Sequence, residues 1–385
     1  MKAVARLAVA GVVLLAGCAG AVPLPDGDTA AFGTQICGGT GADPSAYLRT
    51  MPVLPGAAPR LSAAGSSLIG PMMSVWAQQY AGQHGTRVAY QPIGSGSGIA
   101  QTIAGTVALG ATDTPMTSLE RAKAGGRRLL ALPVTLGGVV PAYHLAGIGA
   151  GLRFDADVLG AVFAGRIRRW DDPALRSLNP GLRLPARDIV VVHRADASGT
   201  TAVFTDYLTR GSPTWVSVLG AGNSSGKQVV WPTGLAGKGN DGVAGMLAQV
   251  DGAVGYLELA YVLGQHLPYG QVRNRTGDFI QPCPATMGRA AQGIDLAADL
   301  PTSLADSTER DAYPITGVTY LLLYADQHDR ATAVALVNFL AWVLTTGQDL
   351  APPLGYGPLT ARLQRDTYAQ LNQVTADGAP VAPTG

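Results

Sequence analysis

Apolar positions along the chain fall into short blocks, and the change of period from block to block outlines its elements. Ile189-Val190-Val191-Val192 is β-branched throughout and reads as a strand. The polar turn Arg194-Ala195-Asp196-Ala197-Ser198-Gly199-Thr200 follows. Val203, Phe204, Tyr207 and Leu208 then recur at the spacing of one helix face. Similar units occur earlier. Residues 61–71 (LSAAGSSLIGP) lead into Met72, Val75, Trp76, Gln79 and Tyr80 at helical spacing. Val88-Ala89-Tyr90-Gln91 reads as a strand, Gly94-Ser95-Gly96-Ser97-Gly98 as a loop, and a helix is expected from Ile99. Val107 to Ala111 is an apolar strand that delivers Asp113 to its C-terminal end. A further helix is expected beyond Gly237–Gly242 (GKGNDG), with Asn240 or Asp241 as its cap rather than as a ligand contact. Strands alternating with helices throughout define an α/β protein.

Composition narrows the partners. The 385 residues suffice for two domains, and 27 Lys+Arg against 26 Asp+Glu leave a net charge of +1, which does not suggest nucleic acid. At the N-terminus, Lys2 and Arg6 precede an apolar run, Leu7–Gly17, too short to span a membrane. Leu15-Ala16-Gly17-Cys18 resembles a bacterial lipobox, which implies a signal peptide over 1–17, lipidation of Cys18 and anchoring to the outer face of the cell membrane. Residues 18–60, rich in Ala, Gly and Pro, read as a tether and arm. Export leaves Cys37 and Cys283 where disulfides persist, so pairing between them is the favoured reading, with two separate thiols as the alternative.

Candidate chemistry points to an anion. A helix start presents unpaired N–H groups and a positive dipole. At the 194–200 turn, Ser198 and Thr200 add hydroxyls, Gly199 admits close approach, and Arg194 supplies a permanently charged fork that Asp196 can hold. Ser67 and the Leu68 N–H lie near another helix start, and the Gly/Ser loop at 94–98 lacks the Gly-Lys-Ser/Thr of a nucleotide-binding phosphate loop. Asp113 beside an anion site makes sense if the ligand keeps a proton, as phosphate does at neutral pH and sulfate does not; the alternative is a helix cap. Catalysis has little support. His144, His193, His266 and His328 are scattered without metal-ligand spacing, and Ser198 lacks a Gly-x-Ser-x-Gly elbow.

The segments AAGSSLIGP, YQPIGSGSG, GATDTPM, GGVVPAY, GRIRRWDDPAL, LNPGLRLP, HRADASGTT, GKGNDG, GAVGYLE and YPITGVTYLL resemble, in order, those of the periplasmic phosphate-binding proteins of ABC-type phosphate importers. The resemblance implies a two-lobed type 2 periplasmic-binding-protein fold. Its two hinge crossings fall near Val134–Gly138 and Tyr313–Gly317, so that 61–134 and 315–385, tail included, form one lobe and 135–314 the other. It implies phosphate held by Ser67, Leu68, Ser95, Asp113, Arg194, Ser198, Gly199 and Thr200, with Asp196 buttressing Arg194. Ser67 stands where Thr is common in the family and Leu68 where Phe is common. The Ser-Gly-Ser-Gly order leaves Ser97 open as an additional contact. It further implies a monomeric, non-enzymatic receptor with no cofactor or metal, serving an ABC-type permease. A receptor for sulfate or molybdate and a surface lipoprotein of another role are the competing readings.

Overall fold

The computed structural model describes residue 37 and residues 52–292 and 303–381. The lipobox with Cys18 and most of the expected tether lie outside the described residues. Residues 52–60 do not behave as a tether: Leu54 exchanges two 2.9 Å hydrogen bonds with the Asn338 amide, and the Ala58 N–H donates to Ala331 O. Cys37 and Cys283 are joined as a disulfide with their Cα atoms 6.0 Å apart.

The chain opens with β1 (Arg60–Gly65), α1 (Gly70–His84), β2 (Arg87–Gln91), α2 (Ser95–Ile103), β3 (Leu109–Thr112), α3 (Ser118–Ala122) and the long β4 (Leu129–His144). It continues through β5 (Arg153–Phe154), α4 (Ala156–Phe163), α5 (Pro173–Leu178), β6 (Val190–Arg194), α6 (Gly199–Gly211), α7 (Pro213–Leu219), β7 (Leu235–Gly237), α8 (Gly239–Gln249), β8 (Ala253–Glu258), α9 (Leu259–Gly264), β9 (Gln271–Arg273), β10 (Phe279–Ile280) and α10 (Pro284–Ala290). It then runs through β11 (Thr316–Tyr324), β12 (Asp326–Gln327), α11 (Arg330–Val343), α12 (Ala361–Gln370), β13 (Thr375–Ala376) and β14 (Ala379–Pro380).

Eight strands form one sheet in the order β2-β1-β3-β11-β4-β8-β6-β7. β4 is its spine. Gly138 pairs with Thr316 of β11, and the next residue, Val139, pairs with Glu258 of β8. The strand therefore changes partner within one step. The two stretches expected as crossings lie side by side here: the Val139 N–H donates to Ile315 O at 2.9 Å and the Tyr313 hydroxyl to Val139 O at 2.8 Å. Pro133 has no N–H to give the ladder, and the β4–β11 register shifts opposite it, between Thr319 and Tyr320.

Helices cover the sheet because each carries an apolar stripe. α1 buries Met72, Met73, Trp76 and Tyr80, and the Trp76 indole N–H is satisfied by Gly347 O at 2.8 Å. α6 buries the expected Val203, Phe204, Tyr207 and Leu208, with Phe204 stacked on Tyr256 of β8 at 4.5 Å. At about 1.5–3 kcal/mol for each large apolar side chain buried, these stripes fix the helix starts against the strand ends. α11 is buried from Ala333 to Val343. Among the described residues no single helix is long and apolar enough to cross a membrane.

Two element boundaries differ from expectation. α2 begins at Ser95, not Ile99, so the Gly/Ser run forms its first turn rather than a loop. α3 begins at Ser118 and is capped by Thr117 and Glu120, which removes Asp113 as a cap. The C-terminal tail is also partly structured, since β13 and β14 pair with each other and β13 with β12 through residue 380.

Candidate anion-binding site

Parallel pairing brings four strand ends to one place. On one side of β4, Gly65 of β1 pairs with Ala111 of β3, which sets Ser66 and Ser67 beside Asp113. On the other, Arg194 of β6 pairs with Gly237 of β7, which sets Asp196 and Thr200 beside Gly239 and Asn240. The carboxyl ends of strands are where open α/β sheets bind ligands. α1, α2, α6 and α8 all start here, so N–H groups with no partner inside their own helix, and the positive dipole ends, collect at one locus.

Asp113 is buried at 3 % exposure and held by three hydroxyls. Oδ1 accepts from Thr319 at 2.8 Å, and Oδ2 accepts from Ser66 at 2.5 Å and Ser95 at 3.2 Å. Thr319 reaches it because β11 runs antiparallel beside β3, with Tyr320 paired to Thr112. Burial pushes the Asp113 carboxyl above its ordinary value, against those hydrogen bonds and the charge of Arg194.

Arg194 has a side chain only 1 % exposed, and its geometry is fixed by Asp196. Nε donates to Asp196 Oδ1 at 2.9 Å and Nη2 to Oδ2 at 2.5 Å, while Nη1 donates to Thr200 Oγ1 at 3.3 Å. The Gly239 N–H also donates to Asp196 Oδ1 at 2.9 Å. Burial alone would raise the Asp196 carboxyl, but the Arg194 hydrogen bonds and charge, with Gly239, hold it below its ordinary value. The pair is therefore ionised and rigid, and the guanidinium keeps two of its five N–H groups uncommitted within the protein.

Contacts between the two sides of β4 close around this locus. The Gly199 N–H donates to Ser95 Oγ at 3.2 Å, and the Gly96 N–H donates to Ala197 O at 3.0 Å. Glycine is required at two points of this seam. A Cβ on Gly199 would strike the Asp113 carboxylate and come within 2.6 Å of Ser95 Oγ. Gly94 takes φ +95°, and a Cβ there would strike the Asp196 carboxylate. Beside Asp113 a cavity of about 270 Å³ is lined by Thr114, Thr117, Val203, Lys227 and Tyr320 among others, and Lys227 pairs with Glu120 at 3.1 Å at its edge.

The structure gathers Ser67, Ser95, Asp113, Arg194, Asp196, Gly199 and Thr200: Ser95 touches Asp113 and Gly199, Arg194 touches Asp196 and Thr200, and the Asn240 amide links Thr200 to Ser67. Ser198 is the buried N-cap of α6, its Oγ taken by the Thr201 N–H at 3.0 Å. The Leu68 N–H donates to Ser66 Oγ at 2.9 Å. Ser97 is exposed.

Several solved structures share the architecture. A phosphate-binding protein from Stenotrophomonas maltophilia matches 81 % of this chain and 93 % of its own with a TM-score of 0.61 at 18 % identity. A substrate-binding protein with bound phosphate from Clostridium perfringens, described as a phosphate ABC transporter component, gives 0.56 at 17 % identity and covers 78 % and 100 %. A family model described as the PBP superfamily domain matches residues 52–346. The fold is thus the mixed α/β, type 2 periplasmic-binding-protein fold. Sequence relatives decide the family. The phosphate-binding protein PstS of Xylella fastidiosa strain Temecula1 is 39 % identical over 313 residues, 80 % of this chain and 84 % of that protein. PstS of Haemophilus influenzae is 38 % identical over 323 residues, with 82 % and 94 % covered. The chain belongs to the PstS family.

In this PstS-family chain, sequence reasoning missed Ser66, Thr319 and Asn240. Asn240 was expected to cap a helix; the N-cap of α8 is instead Lys238, without a side-chain cap bond. Asn240 is fully buried and its Nδ2 donates to Ser67 Oγ at 3.0 Å and Thr200 Oγ1 at 3.2 Å. The GKGNDG turn places Gly237 at the end of β7 and Gly239 at the start of α8, so that Asn240 enters the site one residue into the helix. A polar residue in the first turn after a short strand was the available signal, and capping propensity obscured it. Ser66 and Thr319 carried none, since each is recruited only by strand pairing.

Proposed function

We propose that the protein is an extracytoplasmic receptor that captures inorganic phosphate between two lobes and delivers it to an ABC-type permease. The lobes are 61–134 with 315–385, and 135–314, hinged where β4 changes partner. Ser67, Leu68, Ser95, Asp113, Arg194, Ser198, Gly199 and Thr200 contact the anion, and Asp196 holds Arg194. Cleavage before Cys18 and its lipidation anchor a monomeric receptor, which needs no cofactor or metal and catalyses no reaction.

One observation carries the reading: a rigid Arg194–Asp196 pair with a buried guanidinium faces a buried Asp113 across a cluster of hydroxyls and helix N-termini. Arginine and the helix starts supply donors to a tetrahedral oxyanion. A carboxylate in the same locus accepts a proton that phosphate carries and sulfate lacks. The relatives named PstS and described as phosphate-binding support the same ligand. Calorimetric titration of the protein without its signal peptide tests it. Saturable uptake of phosphate at one site is expected, and the absence of binding, or equal binding of sulfate, overturns it.

A further inference from the structure

Asn240 does more than fill space between α8 and β8. Its Oδ1 accepts from the Glu258 N–H at 3.3 Å, and because a backbone N–H can only donate, this contact fixes which way the amide faces. The NH₂ group is turned to Ser67 and Thr200. Ser67 Oγ receives two donors, Asn240 Nδ2 at 3.0 Å and the Asn240 N–H at 3.2 Å. Thr200 Oγ1 also receives two, Asn240 Nδ2 at 3.2 Å and Arg194 Nη1 at 3.3 Å.

A hydroxyl has two acceptor positions and one hydrogen. With both acceptor positions taken, the hydrogen of Ser67 and that of Thr200 have only one use, which is to donate. An uncommitted hydroxyl can turn to accept as readily as to donate, so it does not by itself distinguish an oxyanion's bare oxygens from a protonated one. We propose that Asn240 is a positioning residue that makes Ser67 and Thr200 obligate donors to the bound anion, so that the ligand's proton has to be directed to Asp113. Ser67 follows β1 and Thr200 lies on α6, so Asn240 sets hydroxyls on both sides of β4 with one amide. The inference rests on the phosphate reading above.

The test is a double-mutant cycle on phosphate affinity, with the ligand-free melting temperature of every variant measured alongside. Asn240→Ala leaves each hydroxyl with one open acceptor position, since the residue-240 N–H and Arg194 Nη1 remain, and should weaken phosphate about tenfold, the lower end for hydrogen bonds to a charged group. Asn240→Asp keeps the shape but offers only acceptors, so it draws both hydrogens away from the ligand and should cost about a hundredfold or more. In a Ser67→Ala/Thr200→Val background, Asn240→Ala should change affinity by no more than about twofold, since the groups it acts through are gone. A residue that merely packs α8 would cost the same in both backgrounds, and Asn240→Asp would be milder than Asn240→Ala; either result overturns the proposal. Should Asn240→Ala fail to fold, Asn240→Asp in the two backgrounds completes the same cycle, because the residual effect in the second background is the charge alone. An unmodified protein that takes up no phosphate would overturn the functional reading itself, which is distinct from additivity in a protein that binds.

Discussion

Removing Arg194 tests the electrostatic half of the site. Three of its five N–H groups are committed within the protein: Nε and one on Nη2 to Asp196, and one on Nη1 to Thr200. One N–H remains on each of Nη1 and Nη2, enough to reach two oxygens of one anion. Each charged hydrogen bond contributes about 1.5–3 kcal/mol, so Arg194→Ala forfeits about 3–6 kcal/mol and phosphate affinity should fall about 10²- to 10⁴-fold. Arg194→Lys restores one point charge without the fork and should recover only part of the loss. Stability needs a separate reading, because either change disturbs the Asp196 carboxylate, whose side chain is only 15 % exposed. Arg194→Ala/Asp196→Ala should regain melting temperature over Arg194→Ala while phosphate binding stays lost. Calorimetric titration with phosphate beside thermal denaturation separates the two effects. An Arg194→Ala protein within threefold of the parent, or an Arg194→Lys protein equal to it, refutes bidentate recognition.

Three further outcomes are expected. Glu258 is fully buried, with Oε2 held by the Ala260 N–H at 2.7 Å, and burial pushes its carboxyl well above its ordinary value. Above its ordinary value the unfolded chain has released this proton and the folded chain keeps it, so stability falls with rising pH by about 1.4 kcal/mol per unit until the folded group titrates. Glu258→Gln should remove that slope, read as a widening stability advantage over the parent in denaturant melts from pH 5 upward; a constant difference refutes it. Gly199→Ala should fold, yet lose phosphate affinity by more than about tenfold, as its Cβ occupies the space of the Asp113 and Ser95 oxygens; calorimetry showing parent-like binding would contradict the closeness of that seam. Cys18→Ala should abolish detergent-phase partitioning of the expressed protein, and unchanged partitioning would remove the lipid anchor from the account.

Local pattern made the α/β alternation and the apolar faces of α1 and α6 legible, because both follow from periodicity over a few residues. The start of α2 was not. Glycine-rich sequence has low helix propensity, but Gly96 and Gly98 are needed small: a Cβ on either would press into Ala197 or into Gly65, and that tertiary demand overrides propensity. The Arg194–Asp196–Thr200 cluster of the 194–200 turn was readable because its three side chains interact within six residues. Thr319 lies 206 residues from Asp113, and Asn240 173 from Ser67, so only the sheet order brings them together. Residues 52–60 read as tether for a related reason, since the partners of Leu54 and of the Ala58 N–H sit on α11, far along the chain.

Selectivity between phosphate and sulfate is the sharpest test of Asp113 as acceptor of the ligand's proton. Asp113 Oδ2 faces Gly199 at the start of α6, and a carboxylate there meets sulfate as acceptor against acceptor. Sites built around one required hydrogen bond reject analogues lacking it by about 10⁴-fold or more. The parent and Asp113→Asn are titrated with both anions at one pH and one salt concentration. The parent should bind phosphate far more tightly than sulfate, and the ratio should collapse in Asp113→Asn as phosphate weakens and sulfate gains. A ratio that stays where it was, or a parent that takes both anions alike, would contradict the assignment of this cluster as a site for protonated phosphate.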